Sequence, residues 1–274
     1  MGQGGRPRRG GVGGRASLLL VAYAWLDAGA QVRRLDESFP PPAGFERVEV
    51  APGSFGDWLR GLPLKPAGAV VRSHRGAKVA GADRWSVAAV ADLDVGGKDL
   101  QQCADSIIRL HAEWLWAAGR AGEIGYRFTS GHLATWRRWA RGDRPKVRGN
   151  RVRWTRSEPP DDSRAAFRRY LDLVFLYAGT ISLARYEKPV PLLDLAPGDF
   201  FVAPGSPGHA VIVLDLARGP GGERRVLLGQ GFTPAQDFHV LADGGDPWFT
   251  VEGDSMDTPF WEPFPWSSLR RLSR

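Results

Sequence analysis

The sequence predicts an α+β fold in which one well-marked helix packs on an antiparallel sheet. Three observations carry this reading. Apolar residues at helical spacing fill the stretch from about Asp99 to Ala118, short apolar runs separated by Gly/Pro turns fill the chain from Pro197 onward, and no internal repeat or Pro/Ser-rich linker divides the 274 residues. With 43% hydrophobic and 11% aromatic residues, the chain can bury a sizeable core. Its single cysteine excludes an internal disulfide framework.

The elements follow in order. Residues 1–22 read as a Gly/Arg-rich disordered leader or a signal-like segment, whose apolar run from Ala16 to Trp25 is too short to span a bilayer, and residues 23–272 read as one domain. The leader leaves export and a cytoplasmic location equally open. Glu46–Val50 alternates as a short strand, Ser54–Leu59 reads as a capped helical turn stopped by Pro63, and Val70–Val71 and Trp85–Leu93 read as strands, together an N-terminal α/β extension. In the main helix Leu100, Cys103, Ile107, Leu110 and Trp114 draw one apolar stripe, with Asp99 and Gln102 placed as a capping box. A second helix is expected from Arg164 to about Tyr177, ended by Gly179. Strands then follow at Phe200–Ala203, His209–Leu216, Arg225–Phe232 and Phe238–Leu241, and the Trp/Pro-rich tail from Pro259 to Leu272 is expected to pack back on the core.

Charge is unevenly placed. Residues 137–156 hold nine cations against Asp143, and the first fifteen residues hold four arginines and no acid, so the rest of this +7 chain is net negative. Trp136, Trp139 and Trp154 interleave with the basic run. That pattern suits stacking beside phosphate contacts on an anionic polymer, through Arg137, Arg138, Arg141, Arg151 and Arg153, although a solvated basic loop gives the same composition.

Cys103 is the candidate nucleophile. A thiol at a helix N-terminus feels the positive end of the backbone dipole, which favours thiolate, while a small thiol on an apolar stripe is equally compatible with a core role. His209 opens an apolar strand after a Gly/Pro turn. There it is either a turn histidine or a base at a sheet edge with its ring free to meet another element. Folding the flanking strands about Pro220 sets Gln230 and Gly231 opposite His209 and Ala210, so the Gln230 amide is placed to fix the imidazole tautomer, with Gln236 as the fallback. Asp215, six residues along the same strand, is roughly 20 Å away at about 3.3 Å per residue and cannot orient that ring. Asp92 and Asp94 end a strand and read as turn acids, with a carboxylate pair as the alternative. His74, His111, His132 and His239 are scattered without metal-ligand spacing, and no phosphate loop, dinucleotide fingerprint or Gly-x-Ser-x-Gly frame occurs, so no cofactor or metal is expected.

The order of these parts, Cys at a helix start, His after Gly198-Asp199-Phe200-Phe201-Val202 and a Gly/Pro turn, then a polar residue on the adjacent strand, resembles the papain-like superfamily, and most closely the NlpC-type cell-wall endopeptidases and amidases. From Tyr23 to Leu272 the chain also resembles the bacterial family catalogued as domain of unknown function 4846. That resemblance rests on Gln102-Cys103-Ala104-Asp105 with Arg109, Leu110 and Glu113, on Phe128-Thr129-Ser130-Gly131, on Tyr177-Ala178-Gly179-Thr180, on Gly205 to Val211, and on Pro234-Ala235-Gln236. Together they imply a papain-like (NlpC-type) fold with an inserted helical region around residues 120–190, and a cysteine hydrolase acting on an amide, such as a cell-wall peptide, through an acyl-enzyme. Cys103 would be nucleophile, His209 general base and Gln230 orienter. The oxyanion would meet the Cys103 backbone N–H and the Gln102 side chain, and Asp105 would pair with Arg109 in support. A scaffold of this kind that no longer catalyses, or an anionic-polymer-binding module, is the alternative.

Overall fold

The computed structural model describes residues 1–2 and 33–273. The signal-like leader and the expected start of the domain at Tyr23 lie outside the described residues. From Arg33 onward the chain forms one unit.

The first part supplies β1 (Arg33–Arg34), α1 (Leu35–Ser38), β2 (Glu46–Arg47), α2 (Phe55–Arg60), β3 (Pro63–Leu64) and β4 (Val87–Val90). The Ser54 hydroxyl accepts from the Asp57 N–H and starts α2, as its sequence position suggests. Val70–Val71 is not a strand. The expected Glu46–Val50 strand shrinks to β2 (Glu46–Arg47), whose Arg47 guanidinium meets the fully buried Asp215 carboxylate at 2.6 Å, and Arg60 meets the same carboxylate at 2.8 Å.

Helix α3 (Cys103–Ala117) begins later than the pattern suggests. Its reciprocal N-terminal bond uses Asp105, whose Oδ2 accepts the Gln102 N–H at 3.1 Å, rather than Asp99. Asp99 instead accepts the Ala235 N–H at 2.7 Å, which ties the entry of α3 to a loop near the end of the chain. Ile107, Ile108, Leu110 and Leu115 of α3 are fully buried.

The region expected to be a helical insertion is half β. Two hairpins, β5 (Gly125–Arg127) with β6 (Leu133–Thr135) and β7 (Asp143–Arg148) with β8 (Arg151–Arg156), stand beside α4 (Trp136–Ala140), α5 (Arg164–Tyr177) and α6 (Thr180–Tyr186). The cause is local: Gly149, at φ +54°, and Asn150 supply the tight turn, and Val147, Val152 and Trp154 alternate with cations across it. Helix α5 is capped by the Ser163 hydroxyl, which accepts the Ala166 N–H, but Gly179 does not end it in a left-handed turn. Gly179 is extended, and its N–H donates to Ser182 Oγ at 2.9 Å to open α6.

After β9 (Lys188–Pro189) come β10 (Phe200–Ala203), β11 (His209–Arg218), β12 (Arg224–Gln230), β13 (His239–Leu241), β14 (Trp248–Thr250), β15 (Ser255–Thr258), β16 (Trp261–Pro265) and β17 (Leu269–Arg271). The main sheet is antiparallel throughout, in the order β4-β13-β12-β11-β10-β17-β9, with β14 added to β12 and β2 to β11. The tail does pack back, since β17 is an internal strand. Along β11, Ala210, Ile212 and Leu214 face one core with α3 and α5, while Val211 and Val213 face a second with Phe264 and Leu269. A bulge between Val213 and Asp215 then reverses the sides, putting Leu216 in the second core and Ala217 in the first. The protein is therefore a mixed α/β fold with antiparallel sheets and several helices, its largest sheet covered on both faces.

Candidate active site

Cys103 and His209 line one cleft of about 520 Å³. Cys103 is the first residue of α3, and His209 is the first of β11. That strand is internal to the sheet, so His209 stands at a sheet end, not at an edge, and its ring is not free. It is enclosed by Phe232, Trp261 and Phe264, with ring centroids 4.9, 5.1 and 6.0 Å away. The Gly205–Gly208 loop that delivers it is held to α6 by the Thr180 hydroxyl, which donates to Gly205 O at 3.3 Å.

The thiol donates to the Gly208 carbonyl at 3.9 Å and not to the imidazole of the next residue. Burial pushes it up to about 11, and Asp105 adds to the rise; the amides of Ala104, Ala210 and Cys103 act in the opposite direction and are outweighed. The thiolate expected from the helix terminus is thus overruled by desolvation. Asp105 is itself pushed up to about 8 by burial, against the Gln102 N–H bond.

Beyond His209 lies a chain of buried polar groups. His239 Nδ1 is 2.9 Å from the Asp237 carbonyl, which can only accept, so the proton is on Nδ1. Burial lowers His239 to about 4, so at neutral pH its Nε2 is a bare acceptor for the Gln230 amide N–H at 3.3 Å. That fixes the amide orientation and turns Gln230 Oε1 to His209 Nε2 at 2.7 Å. His209, lowered to about 4 chiefly by burial, is neutral too and must carry its proton on Nε2. Nδ1 is then its basic nitrogen. The resting pair is a neutral thiol and a neutral imidazole of fixed tautomer.

Gln230 reaches His209 from a register one residue away from the expected one. Ile212 pairs with Gly229, where folding about Pro220 sets it opposite Leu228. The contact survives because a long side chain spans the diagonal between same-face neighbours. His239 was set among the scattered histidines, yet it pairs directly with Gln230 in the β12–β13 ladder. Its signal was present: a polar residue in each of two adjacent short apolar strands separated by a Pro-containing turn.

The other expected residues divide. Gln102 lines the cleft, but its Nε2 donates to Asp99 Oδ1 at 3.2 Å, which commits part of the amide to holding the helix entry. Asp105 does not pair with Arg109. Arg109 bonds Glu113 at 2.7 Å and Gln101 Oε1 at 3.0 Å, because the same helical face offers it a carboxylate one turn onward. His209 is hydrogen-bonded to Gln230 and not to Gln236, which bridges to Ser73 and whose Oε1 is buried without a partner. Asp215 serves Arg47 and Arg60, as its distance from the ring requires. Among the described residues no group of three His, Cys, Asp or Glu is placed to hold a metal ion.

Close approach of α3 to β12 depends on Gly231, where a Cβ would press on Ser106 Oγ and lie 2.9 Å from the Gln102 carbonyl. Gly231→Ala is expected to cost about 1–3 kcal/mol, the usual range for overpacking, read as a lowered urea midpoint.

The interleaved tryptophans of the basic segment are not a stacking platform. Trp136, Trp139 and Trp154 are all buried, since each belongs to the core-facing side of its element. Arg138 and Arg144 are used internally, over the Trp154 and Trp139 rings at 5.0 and 3.8 Å. Arg137 lies on α4 and Arg141 follows it as the C-cap, whereas Arg151 and Arg153 belong to β8.

The chain belongs to the family described as Domain of unknown function (4846), whose model matches residues 35–271. No curated protein matches the chain. No solved structure matches it. Among the described residues no helix is long and apolar enough to cross a membrane.

Proposed function

We propose that this protein is a cysteine hydrolase of papain-like, NlpC-like design that cleaves an amide bond through a thioester acyl-enzyme. The observation that carries the reading is the hydrogen-bonded series from the Asp237 carbonyl through His239 and Gln230 to His209. It costs the fold two buried neutral histidines and an amide, and its effect is to leave unprotonated the Nδ1 of His209, a residue that lines the same cleft as Cys103.

In the proposed reaction the substrate carbonyl displaces the thiol from Gly208. Cys103 Sγ attacks the carbonyl carbon while its proton passes to His209 Nδ1, and the developing oxyanion is met by backbone N–H groups at the start of α3. Collapse breaks the C–N bond, the imidazolium proton leaves with the amine, and water, deprotonated by the same nitrogen, hydrolyses the thioester to the acid and restores the thiol. Because the thiol starts neutral, proton removal accompanies attack instead of preceding it. With an activated ester as substrate, Cys103→Ala and His209→Ala should each lower kcat/KM by at least about a hundredfold, the usual range for general-base catalysis; His209→Ala also opens a cavity and strands Gln230 Oε1, so both are assayed where urea unfolding shows them folded. Wild-type rates in both variants would refute the assignment.

A second reading concerns the β7–β8 hairpin. Lys146 faces Arg153 and Arg148 faces Arg151 across the ladder, all four exposed and none in an ion pair with a described residue. Opposed like charges destabilise a hairpin, which supports an anionic polymer as their counterpart, bound by charge alone. Retention on a polyphosphate column should vanish between roughly 50 and 200 mM salt; salt-independent elution would remove this reading.

A further inference from the structure

We infer that the cleft takes an uncharged, apolar side chain next to the scissile carbonyl, seated on a wall formed by the end of α5 and the start of α6; this rests on the reading of Cys103 as nucleophile. Large apolar side chains are seldom left exposed here. Those that are, among the described residues, are Met1, Trp85, Leu176, Tyr177, Ile181 and Leu193, and three of them fall within six consecutive positions. Two of the three, Leu176 at 59% and Ile181 at 42% exposure, line the same cleft as Cys103. Phe232 and Trp261 line it as well, on the His209 side. Exposed apolar side chains in the cleft of the proposed nucleophile mark where a ligand, not the protein, completes the burial.

Charge narrows the ligand further. The cleft lining contains Asp99 and Asp105 and no lysine or arginine. Asp99 is held ionised, its carboxylate stabilised first by the Ala235 N–H. Asp105 is buried, with Oδ1 lacking any partner. A substrate carboxylate would lose its hydration here, meet no cation, and face Asp99 across the cleft. Acidic cell-wall peptides are therefore poor candidates, whereas a leucine-like residue buries its side chain at no electrostatic cost.

The test compares the 4-nitrophenyl esters of N-acetyl-leucine and N-acetyl-glutamate on the full chain at neutral pH. The leucine ester should be preferred at least about tenfold in kcat/KM, the scale of discrimination an apolar pocket gives, and Leu176→Asp with Ile181→Asp should erase most of that preference. Both positions are exposed, so the fold should tolerate the change, which a urea midpoint checks. Equal or greater use of the glutamate ester would overturn the inference. If neither ester turns over, saturation-transfer NMR with N-acetyl-leucine amide on Cys103→Ala decides. A signal lost in the doubly substituted protein upholds the apolar subsite while sinking the nucleophile, and no signal sinks the subsite.

Discussion

Asp105→Asn should flatten a pH dependence of stability that the wild-type protein shows between about pH 4 and pH 8. Asp105 is buried, and its carboxyl is raised from 3.8 to about 8, chiefly by desolvation. The sign follows from proton counting. Between those values the folded state keeps a proton that the unfolded state releases, so stability is fully present below the unfolded value and is lost as pH rises toward 8. At about 1.4 kcal/mol per unit, the loss is on the order of several kcal/mol. Asparagine keeps the oxygen that accepts the Gln102 N–H, and with it the start of α3, but does not ionise. His209 and His239, both lowered to about 4, act in the opposite direction, adding stability that disappears as pH falls from 6.5. They are common to both proteins and cancel in the difference. Urea unfolding of the pair at pH 5 and pH 8 measures it, and parallel curves would mean that Asp105 ionises without cost.

Native Cys103 should react with iodoacetamide at neutral pH roughly ten- to a hundredfold more slowly than a free cysteine. Raising the thiol from 9.0 to about 11 removes about a hundredfold of thiolate. The greater nucleophilicity of the more basic sulfur restores up to about a factor of ten. Reaction should accelerate up to pH 11, and Asp105→Asn should hasten it above pH 8, where the wild-type carboxylate adds repulsion. Rapid labelling at pH 6 would instead indicate a preformed thiolate and a different resting state.

Much of the site was legible in the sequence because its parts obey local rules. The i, i+3, i+4 stripe placed Cys103 at the head of a helix, and the apolar run after Gly208 made His209 the first residue of a strand. What escaped depends on geometry that no local pattern records. Folding about Pro220 misses the actual register because the turn pairs Arg218 with Arg224, centred on Gly221, and a bulge at Val213/Asp215 follows. The terminal dipole argues for thiolate, but how deeply Cys103 is buried is set by packing of β11 and α3, and that burial decides the matter. Clustered arginines mask the period-two alternation of β7 and β8, which makes a hairpin resemble part of a helical insertion. The role of His239 depends on Gln230 standing between two imidazoles, a tertiary arrangement.

Intact-mass spectrometry after brief exposure to a 4-nitrophenyl ester of N-acetyl-leucine bears most directly on whether Cys103 is a nucleophile served by His209. One acyl group should be found on the peptide containing Cys103, accumulating in the native protein and strongly reduced in His209→Ala. An adduct that forms as readily in His209→Ala, or that maps to another residue, would contradict the enzyme reading.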